Sequence, residues 1–135
     1  IKKKIINYKI LDNAEGTILK ELEKNNIDLV CLAGYMKILS SSFIKSFKGK
    51  IINIHPSLLP KYKGLNTHQK AIDNNDKFCG CTVHFVNSKM DSGKIILQKK
   101  VKIFKNDTVK KIKKRVLKQE HLLYPKAVLK VIFNL

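Results

Sequence analysis

The sequence predicts an α/β protein with an open, mostly parallel sheet flanked by helices. Three observations carry this. Short apolar runs alternate along the chain with segments of helical period. The run Asp28-Leu-Val-Cys-Leu-Ala33 is apolar almost throughout, as suits a central parallel strand covered on both faces. No repeat, Pro-rich linker or low-complexity tail interrupts the chain, so residues 1–135 read as one domain.

The elements follow in order. Residues 1–6 carry a Lys run that suits a short edge strand. Asp12 or Asn13 caps a helix reaching about Asn25, with Ile18, Leu19 and Leu22 as its apolar stripe. Asn25-Asn26 stops it, and the strand at 28–33 follows. Ser40 caps a short helix carrying Phe43, Ile44 and Phe47, which Gly49 ends. Ile51-Ile-Asn-Ile54 is the next strand, and it runs into His55-Pro-Ser-Leu-Leu-Pro60. Pro56 and Pro60 cannot continue a strand or a helix interior, so this loop is rigid. A helix lies within 64–74. Residues 82–86, 95–97 and 101–103 read as strand from their β-branched and aromatic content. Asn106-Asp107-Thr108 caps a long helix with Val109, Ile112 and Val116 inward and Lys110, Lys111, Lys113 and Lys114 in water. Pro125 is expected to kink or restart that helix. Ligands of open α/β sheets bind beyond the carboxyl ends of strands, and residues 34–39 and 53–61 lie at such ends.

Composition narrows the function classes. The formal charge is +18, from 28 basic and 10 acidic residues. An anionic substrate or nucleic acid would suit that balance. The lysines are scattered, however, and aromatic content is only 7%, so no specific nucleic-acid partner is expected. No apolar run approaches the roughly 18 residues of a membrane helix, so no membrane partner is expected. Lys2, Lys3 and Lys4 precede no long apolar stretch, and the cysteines, Cys31, Cys79 and Cys81, are odd in number. Reduced thiols in a cytoplasmic protein are the natural expectation. Cys79-Gly-Cys81 with His84 nearby lacks a second ligand pair, so no metal is expected.

Asn53-x-His55 is the pair that points to chemistry. Residues two apart in extended backbone point the same way, so both side chains reach one small volume at a strand end. An Asn amide can hold a carbonyl oxygen or oxyanion, and a His exchanges a proton near neutral pH. Taken alone, the pair fits a capping Asn and a structural loop His at least as well. Asp91, in Asn87-Ser-Lys-Met-Asp-Ser-Gly93, lies in a second loop after a strand. A carboxylate beside His55 would favour the charged ring, orient it or hold a proton-shuttling water. It equally fits a plain turn, and spacing does not show whether the two meet.

Longer segments carry a resemblance. Asn53-Ile-His-Pro-Ser-Leu-Leu-Pro-Lys-Tyr-Lys-Gly-Leu-Asn-Thr-His68 closely resembles the signature loop of phosphoribosylglycinamide formyltransferases. Leu32-Ala-Gly-Tyr-Met-Lys-Ile-Leu39, Val83-His-Phe-Val86, Asp91-x-Gly93 with Ile96-Leu-Gln98, and Gln119-Glu-His-x-x-Tyr-Pro125 are similar to four further family segments, in the same order. The resemblance covers nearly the whole chain. It implies a Rossmann-like formyltransferase fold and transfer of the formyl group of 10-formyltetrahydrofolate to the amine of phosphoribosylglycinamide, in purine synthesis. Asn53 is then expected to bind the formyl oxygen, His55 to act as general acid/base, and Asp91 to organise the proton transfer. Met36, Lys37, Ile38 and Leu39 are expected to line the folate pocket, with Asn87, Ser88, Lys89, Met90 and Asp91 as its opposite wall. Leu117, Lys118, Gln119 and Glu120 are expected at the ribose of the amine substrate, and His84 behind the site. A homodimer is a further possibility.

The chain also departs from the family pattern. Lys37 stands where Arg is usual, Lys63 where Pro is common, and Leu117 where a polar residue is usual. A Lys at 37 keeps the charge but loses the planar fork. The family's opening strand and Gly-rich phosphate loop have no counterpart before His55, where Gly16, Gly34 and Gly49 do not cluster. The chain is therefore expected to hold only the C-terminal two-thirds of the family pattern, as a fragment, as a reduced gene or as a part that another chain completes, and not to turn over alone. Two other readings compete: a formyltetrahydrofolate deformylase or methionyl-tRNA formyltransferase, and a nucleic-acid-binding remnant.

Overall fold

The computed structural model describes residues 3–7 and 13–134. Its elements are α1 (Ala14–Lys24), β1 (Leu29–Leu32), α2 (Ser41–Ser46), β2 (Lys50–His55), α3 (Thr67–Asp73), β3 (Phe78–Phe85), β4 (Ile95–Lys102) and α4 (Val109–Ile132). The four strands form one sheet in the order β1-β2-β3-β4.

The α/β sheet flanked by helices is as expected, but the pairing is mixed rather than mostly parallel. β1 and β2 are parallel, with Leu32 opposite Asn53, while β2–β3 and β3–β4 are antiparallel. The 86–94 loop explains β4: a parallel return needs about a dozen residues or more, and this loop is shorter. β3 and β4 each take in more than the sequence predicted. The fragments expected at 95–97 and 101–103 are a single strand.

Strand alternation builds two cores, one on each sheet face. Ile52, Cys81, Val83 and Val101 turn to α4, where Ile112, Val116, Ala127 and Val131 meet them. Ile51 turns the other way, to Leu39, Phe43 and Phe47, with Ile18, Leu19 and Leu22 of α1 packed behind. Burying each large aliphatic side chain stabilises by about 1.5–3 kcal/mol. β2 is thus covered on both faces. β1 is only partly covered, short of expectation: Leu29 packs on the first core and Val30 and Leu32 on the second, but Cys31 is exposed, and among the described residues the sheet ends at β1.

The caps follow the sequence. Asn13 accepts from Gly16 N–H, Ser40 from Phe43 N–H and Thr108 from Lys111 N–H. Asp12, the alternative first cap, lies outside the described residues. Asp107 binds the Arg115 guanidinium through both oxygens, at 2.8 and 2.9 Å, which holds its carboxyl down at about 2.

Three element predictions need correcting. Residues 3–7 form no strand; Lys4 instead pairs with Glu21 on α1, and the rest of the expected 1–6 strand lies outside the described residues. Gly49 is not the helix stop, since Phe47 caps α2 in an extended conformation. Gly49 is there for clearance: a Cβ would lie 2.3 Å from the Asp28 carbonyl oxygen. Of the kink or restart expected at Pro125, the restart does not occur: α4 runs unbroken through it. Pro125 and His121 are both exposed, so the carbonyl that loses its helical partner faces water.

Candidate active site

The carboxyl end of β2, the 56–66 loop and the 86–94 loop enclose one end of a cavity of about 650 Å³. A second hollow beneath residues 56–62, about 10 Å³, has room for no more than a water.

The 56–66 loop is fastened from below. Thr82 on β3 donates to the Ser57 carbonyl at 2.7 Å and accepts from Leu59 N–H. Gln98 on β4 donates to Thr82 and to the Leu59 carbonyl. Thr67 donates to the Pro56 carbonyl, and Asp76 holds both Lys61 and the Tyr62 hydroxyl. The Leu59–Pro60 peptide is cis. These bonds account for the Gln98 and Thr67 of the sequence motifs. Tyr124 has a comparable use: its hydroxyl donates to the Leu32 carbonyl at 2.6 Å, tying α4 to the end of β1.

His55 is 6% exposed and closes β2. Its Nε2–H donates to the Tyr62 carbonyl at 2.9 Å, which turns Nδ1 to Asp91 Oδ2 at 3.4 Å. A proton on Nδ1 therefore has a carboxylate acceptor. Asp91 Oδ2 also accepts Gly64 N–H at 2.9 Å. Asp91 has a φ of 47°, a left-handed conformation that few non-glycine residues adopt. Gly93, two residues on, lets the loop press against β3: a Cβ there would lie 1.6 Å from the Phe85 carbonyl oxygen.

His84 on β3 stands opposite Asn53 on β2. Its Nδ1–H donates to the Phe85 carbonyl at 2.8 Å, leaving Nε2 to accept from Asn53 Nδ2 at 3.4 Å. Burial pushes the His84 ring below its ordinary 6.5, so it stays neutral and keeps that acceptor. Its 3.6 Å approach to Asp91 Oδ1 is then proximity rather than an ion pair. One N–H of the Asn53 amide is spoken for, and the other has no partner among the described residues and can meet a ligand.

The family model described as "Formyl transferase" matches residues 2–128. The chain belongs to the formyl transferase family. Within it, the chain is 50% identical over 125 residues to the phosphoribosylglycinamide formyltransferase of Haemophilus influenzae, covering 93% of this chain and 58% of that protein. It is 44% identical over 128 residues to the human trifunctional purine biosynthetic protein adenosine-3, covering 93% of this chain and 13% of that one. The solved phosphoribosylglycinamide formyltransferase of Anaplasma phagocytophilum superposes with a TM-score of 0.88 at 43% identity, over 95% of this chain and 62% of that one.

Of the residues singled out from the sequence, Asn53, His55 and Asp91 converge, and Met36, Lys37, Ile38, Leu39, Asn87, Lys89, Met90, Leu117 and Glu120 line the same cavity. Ser88, Lys118 and Gln119 do not line it. Lys118 is on the exposed side of α4, because neighbours on a helix turn about 100° from one another. Burial raises the Glu120 carboxyl above its ordinary 4.5. Cys79 and Cys81 belong to the core, and burial pushes the Cys81 thiol up to about 12. Sequence reasoning missed Tyr62 and Gly64, whose backbone groups hold the His55–Asp91 pair. No side-chain pattern signals a backbone contact. It also missed Tyr35, Leu65, His68, Val109 and Lys113 as cavity residues.

Proposed function

We propose that this chain is the catalytic portion of a phosphoribosylglycinamide formyltransferase. The reaction moves the formyl group of 10-formyltetrahydrofolate to the amine of phosphoribosylglycinamide, a step of de novo purine synthesis. The observation that carries the reading is the meeting of Asn53, His55 and Asp91 at one end of a large cavity. Relatives at half identity bear that enzyme's name. The chain spans only 58% of the length of the Haemophilus relative, so the activity is assigned to the full-length protein.

In this reading, residues 36–39 and 87–91 hold the folate, and Glu120 accepts from the sugar hydroxyls. The free Asn53 N–H meets the formyl oxygen as charge develops on it, and the positive charge of a protonated His55, its ring held between the Tyr62 carbonyl and Asp91, stabilises that charge from alongside. Asp91, fixed by Gly64 N–H and beside His55, takes a proton from the attacking amine and passes it to the departing folate nitrogen. His84 keeps the Asn53 amide turned the right way. The residues in place suffice for acyl transfer by donors and proton carriers.

The test is consumption of formyl-tetrahydrofolate by the full-length protein with three acceptors: phosphoribosylglycinamide, charged initiator tRNA, or water. Turnover only with the ribonucleotide amine is expected. Turnover only with tRNA, or with water alone, would reject the assignment. Removing one oxyanion donor by Asn53→Ala is expected to lower kcat about 100- to 1000-fold. His55→Ala and Asp91→Ala should abolish turnover while leaving the circular-dichroism spectrum intact; near-normal rates in both would end the catalytic assignment.

A further inference from the structure

Tyr62 joins His55 to Asp76. Its carbonyl accepts the His55 Nε2–H at 2.9 Å, and its hydroxyl donates to Asp76 Oδ2 at 2.9 Å. Tyr62 has a φ of 54°, in the left-handed region. A residue with a Cβ stays there only when its surroundings hold it. Backbone groups are held on either side: Lys61 N–H donates to the Leu58 carbonyl, the Lys61 carbonyl accepts from the Ser57 hydroxyl, and Gly64 N–H donates to Asp91. Tyr62 itself is anchored by its side chain, which packs on the first core and ends on Asp76.

Asp76 is a fixed end for that anchor. It lies in the turn from α3 to β3, where the N–H groups of Asn74, Asn75 and Asp76 donate back to the carbonyls of Lys70, Ile72 and Ala71. Ala71 is part of the first core. The two carboxylate oxygens divide their work: Oδ1 takes Lys61 Nζ at 2.7 Å, and Oδ2 takes the Tyr62 hydroxyl. A bond to an ionised acceptor is roughly twice as strong as a neutral one. The Tyr62 bond is part-buried, whereas the Lys61 bond is exposed, and exposed pairs contribute little. Neither Tyr62 nor Asp76 borders the large cavity, so any effect they have on its chemistry passes through His55.

We propose that Asp76 is a positioning residue for the His55 ring, acting through the Tyr62 hydroxyl and carbonyl. Its effect on turnover rests on the proposed reaction. With the hydroxyl released, residue 62 relaxes toward the right-handed or extended conformations that residues with a Cβ prefer, and its carbonyl swings off Nε2. His55, 6% exposed, then carries a buried N–H without an acceptor. The ring turns to find one, and Nδ1 leaves its line to Asp91 Oδ2.

In the full-length protein, the His55 Nε2–H is followed by NMR and turnover by steady-state kinetics. Tyr62→Phe and Asp76→Ala are each expected to speed exchange of that proton with water and to lower kcat about tenfold, with KM for both substrates unchanged. The double variant should lose no more than either alone, because the two remove one bond. Asp76→Asn, whose amide oxygen still accepts from the hydroxyl, should restore most of both readouts. Lys61→Met should change either by no more than about twofold. An unmoved His55 signal in Tyr62→Phe would overturn the proposal, whatever kcat does. So would an equal loss in Lys61→Met, which would mean that Asp76 only fastens the loop. A moved signal with an unchanged kcat, in a protein that transfers formyl groups, would overturn the positioning role and leave the reaction standing. A moved signal in a protein that transfers none would uphold the hold on His55 and overturn the reaction.

Discussion

Burial shifts two ionisable groups that line the cavity with His55, and it does so in opposite senses of pKa. The His84 ring is pushed below 6.5 and the Glu120 carboxyl above 4.5. Both shifts disfavour charge. For His84 the unfolded chain binds more protons, so its contribution is full above about pH 6.5 and is lost as pH falls. For Glu120 the folded chain binds the proton more tightly. Its ionised form therefore weighs against the fold above its raised folded pKa, and the penalty disappears below 4.5. Glu120→Gln is accordingly expected to raise Tm by a few degrees at pH 7 and to give no gain at pH 4. The same substitution should raise KM for the amine substrate. Thermal melts at the two pH values check the first part, and a lower Tm at pH 7 would mean that Glu120 has a stabilising partner after all.

At the scale of elements, α4 does two jobs with two parts of its length. Its inward stripe of Ile112, Val116, Ala127 and Val131 covers one sheet face, while Val109, Lys113, Leu117 and Glu120 border the cavity. Pro125 sits inside this helix and removes one backbone hydrogen bond. Packing of the inward stripe and the Tyr124 bond to the Leu32 carbonyl hold the helix through it. Pro125→Ala should restore the bond to the His121 carbonyl and stabilise by about 1–3 kcal/mol in urea unfolding. No gain would mean that the helix bends there to fit the sheet. The 86–94 loop is the second element with a single tolerated shape. Gly93→Ala has no space against the Phe85 carbonyl and should displace Asp91, lowering kcat far more than stability.

The whole molecule carries a large excess of positive charge, +18 over 135 residues. Self-repulsion of that kind destabilises the compact state and is screened by salt. Tm is expected to rise as NaCl increases from about 0.02 to 0.3 M, where the Debye length falls below 10 Å. A Tm independent of salt would show that the lysines are locally compensated. The same surface should hold nucleic acid weakly, with an affinity that falls steeply with salt. No helix among the described residues is long and apolar enough to cross a membrane.

What the sequence determined by itself was local. Caps at Asn13, Ser40 and Thr108, the apolar runs, and the Asn53-x-His55 spacing are short-range patterns, and each depends on neighbours within one turn or one strand repeat. Long motif strings extended that reach to Asp91 because their resemblance spans both loops. The tertiary structure alone decided the antiparallel placement of β3 and β4, the exposure of β1, and the passage of α4 through Pro125. It also decided the backbone contacts of Tyr62 and Gly64 with the His55–Asp91 pair. These depend on groups far apart in the chain, and on main-chain atoms that every residue shares, so no side-chain pattern encodes them.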